Sequence, residues 1–320
     1  MTPPTLQQLH ASHTGKVSDK WSSYLERYDT LLTPFRSKEV RILEIGIQNG
    51  GSLEIWAKYF SHAQKIIGCD IEDTCGSLVF SEPNIHVIIG DAKDAATCVK
   101  ITAHAPAYDI IIDDGSHHSH DIIQTFLAYF PLLSHGGIYI IEDLHCSYWS
   151  SHEGGVHHPR SSINFFKLLI DLIHREHWRE DLAAEQLLMR FTTATAPWMG
   201  EISGITFYNS VCIVEKKASA INNLGVRHIT GRQAQVRPEI MPQNAQTCAE
   251  MHPAPLEPGS PSPEDIIETL QAEVKNQHAE LLTTQSKLHT TQTTLHTLTK
   301  SRYWRLRLFI FKLLGLTEKS

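Results

Sequence analysis

The chain has 320 residues, 41% of them hydrophobic and 20% charged, with a formal net charge of −7. That composition suits a globular protein with one catalytic-sized core and an appendage, and the negative charge excludes dominant nucleic-acid binding. The N-terminal MTPPTLQQLHASHTGK lacks the apolar core of a signal peptide, and no apolar run reaches the ~18 residues that cross a bilayer, so a cytoplasmic location is expected.

From residue 41 short apolar runs alternate with helix-like stretches, the pattern of repeated β-α units around a parallel sheet. Strands are expected at 41–46, 65–70, 85–89, 108–113 and 137–141, with helices near 51–60, 93–104 and 119–133. The four runs 41–46, 65–70, 108–113 and 137–141 are nearly all apolar apart from their ends, as central parallel strands covered on both faces must be. A helical segment near 161–189 precedes ITFYNSVCIVEK at 205–216, which reads as a strand or a hairpin turning at Asn209-Ser210 and would complete a seven-stranded doubly wound α/β sheet. The first domain is therefore placed at 1–217. Prolines then accumulate without periodicity, and 218–263 reads as a disordered linker. Beyond Ser262-Pro263 a helix start leads into apolar residues at alternating spacings of three and four, including Leu270, Val274, Leu281, Leu288 and Leu295. This heptad, broken by Gln277, Thr284 and Thr291, predicts a coiled-coil helix over 264–302 that pairs chains or binds a partner. The segment 303–320 interleaves Tyr303, Trp304, Phe309 and Phe311 with Arg305, Arg307 and Lys312, a basic amphipathic tail suited to peripheral contact with the inner face of an anionic membrane.

The first strand runs into Glu44-Ile-Gly46-Ile-Gln-Asn-Gly50-Gly51-Ser52. Glycines let a ligand approach the backbone, and the acid two residues before the first of them favours a cationic sulfonium over a pyrophosphate. The second strand ends at Asp70, placed to take ribose hydroxyls, and the third is followed by Asp91-Ala92. Each acid alone has the plain alternative of capping the next helix. The fourth strand ends at Asp113-Asp114 and the fifth at Glu142-Asp143, so Asp114, Glu142 and Asp143 meet in one region. Their mutual repulsion calls for a cation, and oxygen donors suit magnesium, manganese or calcium better than zinc. His117, near neutrality in its ordinary pKa, is placed to take a proton from a metal-bound hydroxyl. His118 and His120 enter a helix pointing in different directions and read as solvent-facing. The six cysteines show no C-x-x-C pair and read as reduced thiols.

LEIGIQNGGSLEIW at 43–56, IIDDGSHHSHDII at 111–123, FPLLSHGGIYIIEDLHCSYW at 130–149 and the 205–216 stretch together resemble the metal-dependent sugar O-methyltransferases of macrolide and glycan biosynthesis, relatives of proteins labelled cephalosporin hydroxylases. The resemblance covers about residues 15–217 and implies a Rossmann-like fold, S-adenosylmethionine as cofactor and Mg2+ or another divalent cation. It places Glu44, Gly46, Gly50 and Ser52 around the methionine part of the cofactor, Asp70 on the ribose, and Asp91 with Ala92 along the adenine. Asp113 joins this cofactor-binding set, Asp114, Glu142 and Asp143 become metal ligands, and His117 becomes the general base. SDKWSSYLERY, with Asp19, Lys20, Tyr24 and Tyr28, matches a family feature expected to close over the site. The tail SRYWRLRLF resembles those of cell-surface polysaccharide enzymes and implies a sugar on a surface glycan, its precursor or a glycosylated natural product as substrate. Two other readings are an oxygenase with iron on His117, Asp114 and His145, and a scaffold that binds cofactor without turnover.

Overall fold

The computed structural model describes residues 3–177, 187–189, 191–192, 196–251, 263–300 and 302–314. The chain divides into two units, Met1–Ala254 and Pro255–Ser320. In the first, β1 (Arg41–Ile45), β2 (Lys65–Asp70), β3 (Ile85–Ile89), β4 (Tyr108–Asp113), β5 (Leu133–Ile141), β6 (Ile202–Tyr208) and β7 (Val211–Lys216) form one seven-stranded sheet in the order β3-β2-β1-β4-β5-β7-β6. β1 to β5 are parallel, and β7 runs antiparallel to both β5 and β6. The strand order reverses between β1 and β4, the switch point where open α/β sheets bind ligands beyond the carboxyl ends of their strands.

Successive residues of a strand point to opposite faces, so alternation along β1 and β4 feeds two cores. Ile42, Ile110, Ile112 and Ile140 pack with α1 (Leu6–Ala11), α2 (Ser22–Leu32) and α3 (Gly51–Tyr59) through Leu6, Tyr28, Leu53 and Trp56. Leu43, Ile111 and Ile141 pack with α4 (Ala95–His104), α5 (Ser119–Tyr129) and α6 (Ser162–Ile173) through Ile101, Phe126, Phe165 and Phe166. Each such fully buried side chain is worth about 1.5–3 kcal/mol, which fixes the strand ends relative to one another.

The expected strands are all present, and 205–216 is a hairpin with Ser210 at φ 70° in its turn. Two boundaries differ. α5 stops at Tyr129 because Pro131, without an N–H, redirects the chain into a 3-10 turn, and β5 begins at Leu133 because Gly136 (φ 84°) and a register shift opposite β4 carry the strand through the polar Ser134-His135. α6 covers part of the helical segment expected at 161–189, of which 178–186 lies outside the described residues.

After β7 the chain makes 3-10 turns at Ser219–Ile221 and Pro238–Gln243, one helical turn at Cys248–Met251 and an isolated bridge between Val226 and Thr247. Residues 252–262 of the expected linker lie outside the described residues. The second unit contains α7 (Pro263–Lys300) and α8 (Arg302–Leu313), and the tail residues 315–320 are likewise not described. Leu281, Leu288 and Leu295 on α7 are exposed, while Thr284 and Thr291 in the same heptads donate back to the carbonyls of Glu280 and Lys287 and so satisfy their hydroxyls within the helix. Among the described residues no helix is long and apolar enough to cross a membrane.

Candidate active site

The turn after β1 is held by its glycines and by Asp70. Gly46 has φ +84°, and a Cβ there would lie 2.0 Å from the carbonyl oxygen of Asp114, so only glycine lets the β1 and β4 ends approach this closely. Gly50, at φ +77° before the first turn of α3, would drive a Cβ to 2.9 Å from the Phe80 ring. Asp70 Oδ2 accepts hydrogen bonds from the backbone N–H groups of Ile47 (2.8 Å) and Gln48 (3.0 Å), fixing the turn from the neighbouring strand. Glu44 is fully buried. Its Oε2 accepts from the Ser52 hydroxyl (2.7 Å) and the Trp56 indole (3.1 Å), whereas Oε1 has no hydrogen-bond partner and belongs to a residue that lines the cavity. Burial raises the Glu44 carboxyl above the usual range, opposed by Lys20.

That cavity, of about 460 Å³, lies at the switch point and is lined by every expected site residue except Gly50. Asp91 and Ala92 border it after β3, with the Ala92 carbonyl accepting from Tyr129 Oη at 2.8 Å. Asp113 is buried at its floor, accepting from Thr125 Oγ1 and from Tyr139 Oη at 3.4 Å, and burial pushes its carboxyl up to about 6.

Asp114, His117 and Asp143 offer ligand atoms within 4.8 Å of one another. His117 Nε2 stands 3.9 Å from Asp114 Oδ1 and 3.7 Å from Asp143 Oδ2. Both His117 (φ 57°) and Asp143 (φ 51°) occupy the left-handed region, a strain of about 1–3 kcal/mol each that the surrounding strands must hold. Burial lowers the His117 pKa below its ordinary value, against the pull of Asp143, which favours the neutral imidazole that a base requires.

Glu142 stands apart from this group. Its Oε1 accepts from Lys20 Nζ (2.8 Å) and Tyr28 Oη (2.6 Å), because a buried carboxylate needs a counter-charge and the N-terminal segment brings one. Lys20 also donates to Asp114 Oδ2 at 2.5 Å and lies 3.6 Å from Glu44 Oε1. Burial opposes its charge, but Glu142, Asp114 and Glu44 prevail and hold the ammonium well above its ordinary pKa. Burial pushes Glu142 up to about 7 and Asp114 up to about 6, in each case against Lys20.

The expected closure by the early segment is visible in its contacts. The Val17 carbonyl accepts from Gly51 N–H, Trp21 Nε1 donates to Asp143 Oδ1 (3.1 Å), and Tyr24 Oη donates to the same oxygen (2.7 Å) and lies 2.7 Å from Ser210 Oγ. The sequence places Trp21 in SDKWSSYLERY and Ser210 in the expected turn but assigns neither a role at the site, since no chemical pattern marks either residue. Ser210, from the β6–β7 turn, also bonds His145 Nδ1 at 2.5 Å. The iron triad of His117, Asp114 and His145 is not formed, because His145 is tied to Ser210 and lies outside the group that Asp143 completes.

Residues 43–144 match the family described as Methyltransferase domain. This segment is a methyltransferase domain. The chain is similar to the 8-demethyl-8-alpha-L-rhamnosyl tetracenomycin-C 2'-O-methyltransferase of Streptomyces olivaceus, 32% identical over 213 residues that cover 63% of this chain and 53% of the relative. It is likewise similar to the mycinamicin VI 2''-O-methyltransferase of Micromonospora griseorubida, 35% identical over 56% of this chain and 46% of that protein. The chain thus spans about half the length of the curated relatives it matches. Among solved structures, MycE methyltransferase from the mycinamycin biosynthetic pathway, in complex with Mg, SAH and mycinamycin VI, superposes with a TM-score of 0.57 at 28% identity, over 69% of this chain and 55% of that one. The matched segment therefore runs from within β1 through β5 and contains every expected site residue, while Lys20, Trp21 and Ser210 reach it from outside.

Proposed function

We propose that the protein transfers a methyl group from S-adenosylmethionine to a sugar hydroxyl with a divalent cation, magnesium first, as cofactor. The observation that carries this is the convergence of Asp114, His117 and Asp143 on a cavity that Glu44 and the Gly46 turn also line. The relatives named for transfer to rhamnosyl and macrolide substrates, and the Mg and SAH held by MycE, support the same reading.

In this proposal Asp114 and Asp143 hold the cation, with Glu142 as the third carboxylate once Lys20 yields its contact. Two oxygens and an adjacent carboxylate suit a hard ion. A cation there would lower the pKa of the acceptor hydroxyl. Glu44 faces the sulfonium with Oε1, the oxygen that makes no hydrogen bond, Gly46, Gly50 and Ser52 shape the turn against the methionine part, Asp70 takes the ribose, and Asp91, Ala92 and Asp113 border the adenine. His117 Nε2 takes the hydroxyl proton while the acceptor oxygen receives the methyl group, leaving neutral S-adenosylhomocysteine. Mass spectrometry of glycosides incubated with S-adenosylmethionine should show a gain of one methyl group that needs Mg2+ and disappears in EDTA. Undiminished transfer in EDTA would refute the metal-dependent reading.

The wider assignment is a domain over 1–217, a linker over 218–263, a pairing helix over 264–302 and a basic tail over 303–320. The exposed leucines of α7 support pairing of chains, and Arg305, Arg307 and Lys312 beside exposed Tyr303 and Phe309 support contact with anionic lipid at the inner face of the membrane. A surface glycan or its lipid-linked precursor then becomes the acceptor that this arrangement serves.

A further inference from the structure

A row of aromatic rings runs from Asp143 to the neighbour of His117. Trp21, whose indole N–H is on Asp143, meets the His145 ring edge-on with centroids 6.2 Å apart. His145 meets Trp149 at 4.9 Å, Trp149 meets His152 at 5.6 Å, and His152 stacks on His118 at 4.8 Å with the planes 28° apart. Since His118 follows His117 in the chain, the row starts at one member of the Asp114, His117 and Asp143 group and ends at the residue next to another.

Two of these rings are left in water, with Trp21 60% and Trp149 49% exposed. Single exposed aromatics are ordinary, but a contiguous row that begins at the cavity-lining Trp21 and ends beside the cavity-lining His117 marks a ligand surface. The loop that carries Trp149 is built to stay in place. Gly154 N–H donates to the Trp149 carbonyl (2.9 Å), Gly155 N–H donates to the Ser147 carbonyl (3.0 Å), and the Ser147 and Ser162 hydroxyls bond at 2.5 Å, tying the loop to α6. A Cβ on Gly154 would lie 2.2 Å from the Ser147 carbonyl oxygen, so the loop depends on that glycine. A rigid, exposed indole beside reacting groups is a preorganised binding surface.

The cavity itself offers buried acids and a glycine turn, which suit the methyl donor, so the acceptor needs another surface that ends at His117. A pyranose has an apolar face of C–H groups and a rim of hydroxyls, and it meets an indole with the first while presenting the second to polar groups. Glu153, which accepts from the His120 N–H at 2.9 Å beside the row, disfavours a phosphate-bearing acceptor by like charge. We propose that Trp149 and Trp21 form the platform on which the pyranose ring of a neutral glycoside stacks, its rim hydroxyls directed to His117 and Asp143. This rests on the methyl-transfer reading and adds the residues that select and orient the acceptor.

The test uses the full chain with S-adenosylmethionine and MgCl2 and the methyl and 4-nitrophenyl glycosides of L-rhamnose, D-glucose and D-galactose as probes. Trp149→Ala should raise KM about tenfold for whichever sugar is methylated, on both glycosides, with kcat little changed. Trp149→Phe should recover most of the loss, and calorimetric binding of S-adenosylhomocysteine should be the same in both variants, reporting an intact fold. Trp21→Ala should raise KM in the same way, and Trp21→Phe, which keeps the ring but loses the N–H on Asp143, should recover most of that loss. An unchanged KM in Trp149→Ala, or a rise confined to the nitrophenyl glycosides, overturns the platform while leaving methyl transfer standing. A wild-type chain that binds S-adenosylhomocysteine yet methylates none of the probes overturns the neutral-glycoside acceptor and the platform together.

Discussion

Lys20 Nζ lies 2.8 Å from Glu142 Oε1, although 122 residues separate them in the chain. The same ammonium reaches Asp114 and stands near Glu44, so one cation from the N-terminal segment offsets three acids delivered by β1, β4 and β5. Removing one partner of a buried ion pair costs about 3–5 kcal/mol, because the remaining charges are left uncompensated. Lys20→Met should therefore lower Tm markedly in EDTA. Added MgCl2 should stabilise the variant more than the wild type, since the ion no longer competes with an ammonium for the same carboxylates. Equal Mg2+-induced shifts in the two proteins would contradict that competition.

Protons compete for these carboxylates as well. Glu142 is raised to about 7 and Asp114 to about 6 by burial, and a divalent cation binds them only when they are ionised. Calorimetric Mg2+ affinity should fall by about tenfold or more between pH 8 and pH 6. An affinity flat across that range would remove Glu142 and Asp114 from the ligand set.

His117 should show itself in kcat. His117→Ala is expected to cost about 10²–10⁴ in kcat while leaving S-adenosylhomocysteine binding intact. Because burial lowers its pKa, the imidazole stays neutral further into acid than an ordinary histidine, so at saturating Mg2+ the acid limb of kcat should lie below pH 6.5. A limb above that value would assign the step to another group.

Asp113 carries a stability signature of its own. Its folded carboxyl is raised to about 6, above the unfolded value of about 3.9, so the folded state holds the proton more tightly and stability falls as pH rises through this window. Asp113→Asn replaces the ionised group with a neutral amide of the same shape. At pH 8 the variant should match or exceed the wild type, by up to about 2 kcal/mol, and the difference should close as the pH is lowered from 6 to 4. Chemical denaturation at both pH values measures it.

Exposed leucines on α7 make the last test. In the full chain, Leu281→Asp with Leu288→Asp should convert a self-associating protein to monomers in analytical ultracentrifugation and weaken its sedimentation with phosphatidylglycerol vesicles at low salt, because two tails act together. A wild-type chain that is already monomeric and ignores such vesicles would refute the pairing and the membrane role alike.

The parallel strands were legible because burial on both faces leaves near-continuous apolar runs such as Ile110 to Ile112, and the strand-end acids followed from them. The start of β5 was hidden by Ser134, His135 and Gly136, which read as a turn although backbone pairing carries the strand through. What Lys20 does was not legible either. Its partners lie 94 and 122 residues away, and no local period records which acids a solitary lysine will meet. Trp149 and Trp21 were beyond reach for the same reason, since their shared surface exists only once β5 and the N-terminal segment converge.

The β6–β7 hairpin places Ser210 against Tyr24 and His145, and it is made late. At about 5–20 residues per second, roughly ten to forty seconds of synthesis separate β1 from the end of β7. In the later part of that interval, once β5 has been made and before β7 is complete, a nascent chain already carries the glycine turn and all its acids, but β5 presents an uncovered edge, because β6 emerges first and yet sits outside β7. Unpaired strand edges recruit other strands. A ribosome paused before Val211 would therefore expose a docking edge for chaperones, or for a neighbouring nascent copy, and synthesis of the hairpin is the event that closes it.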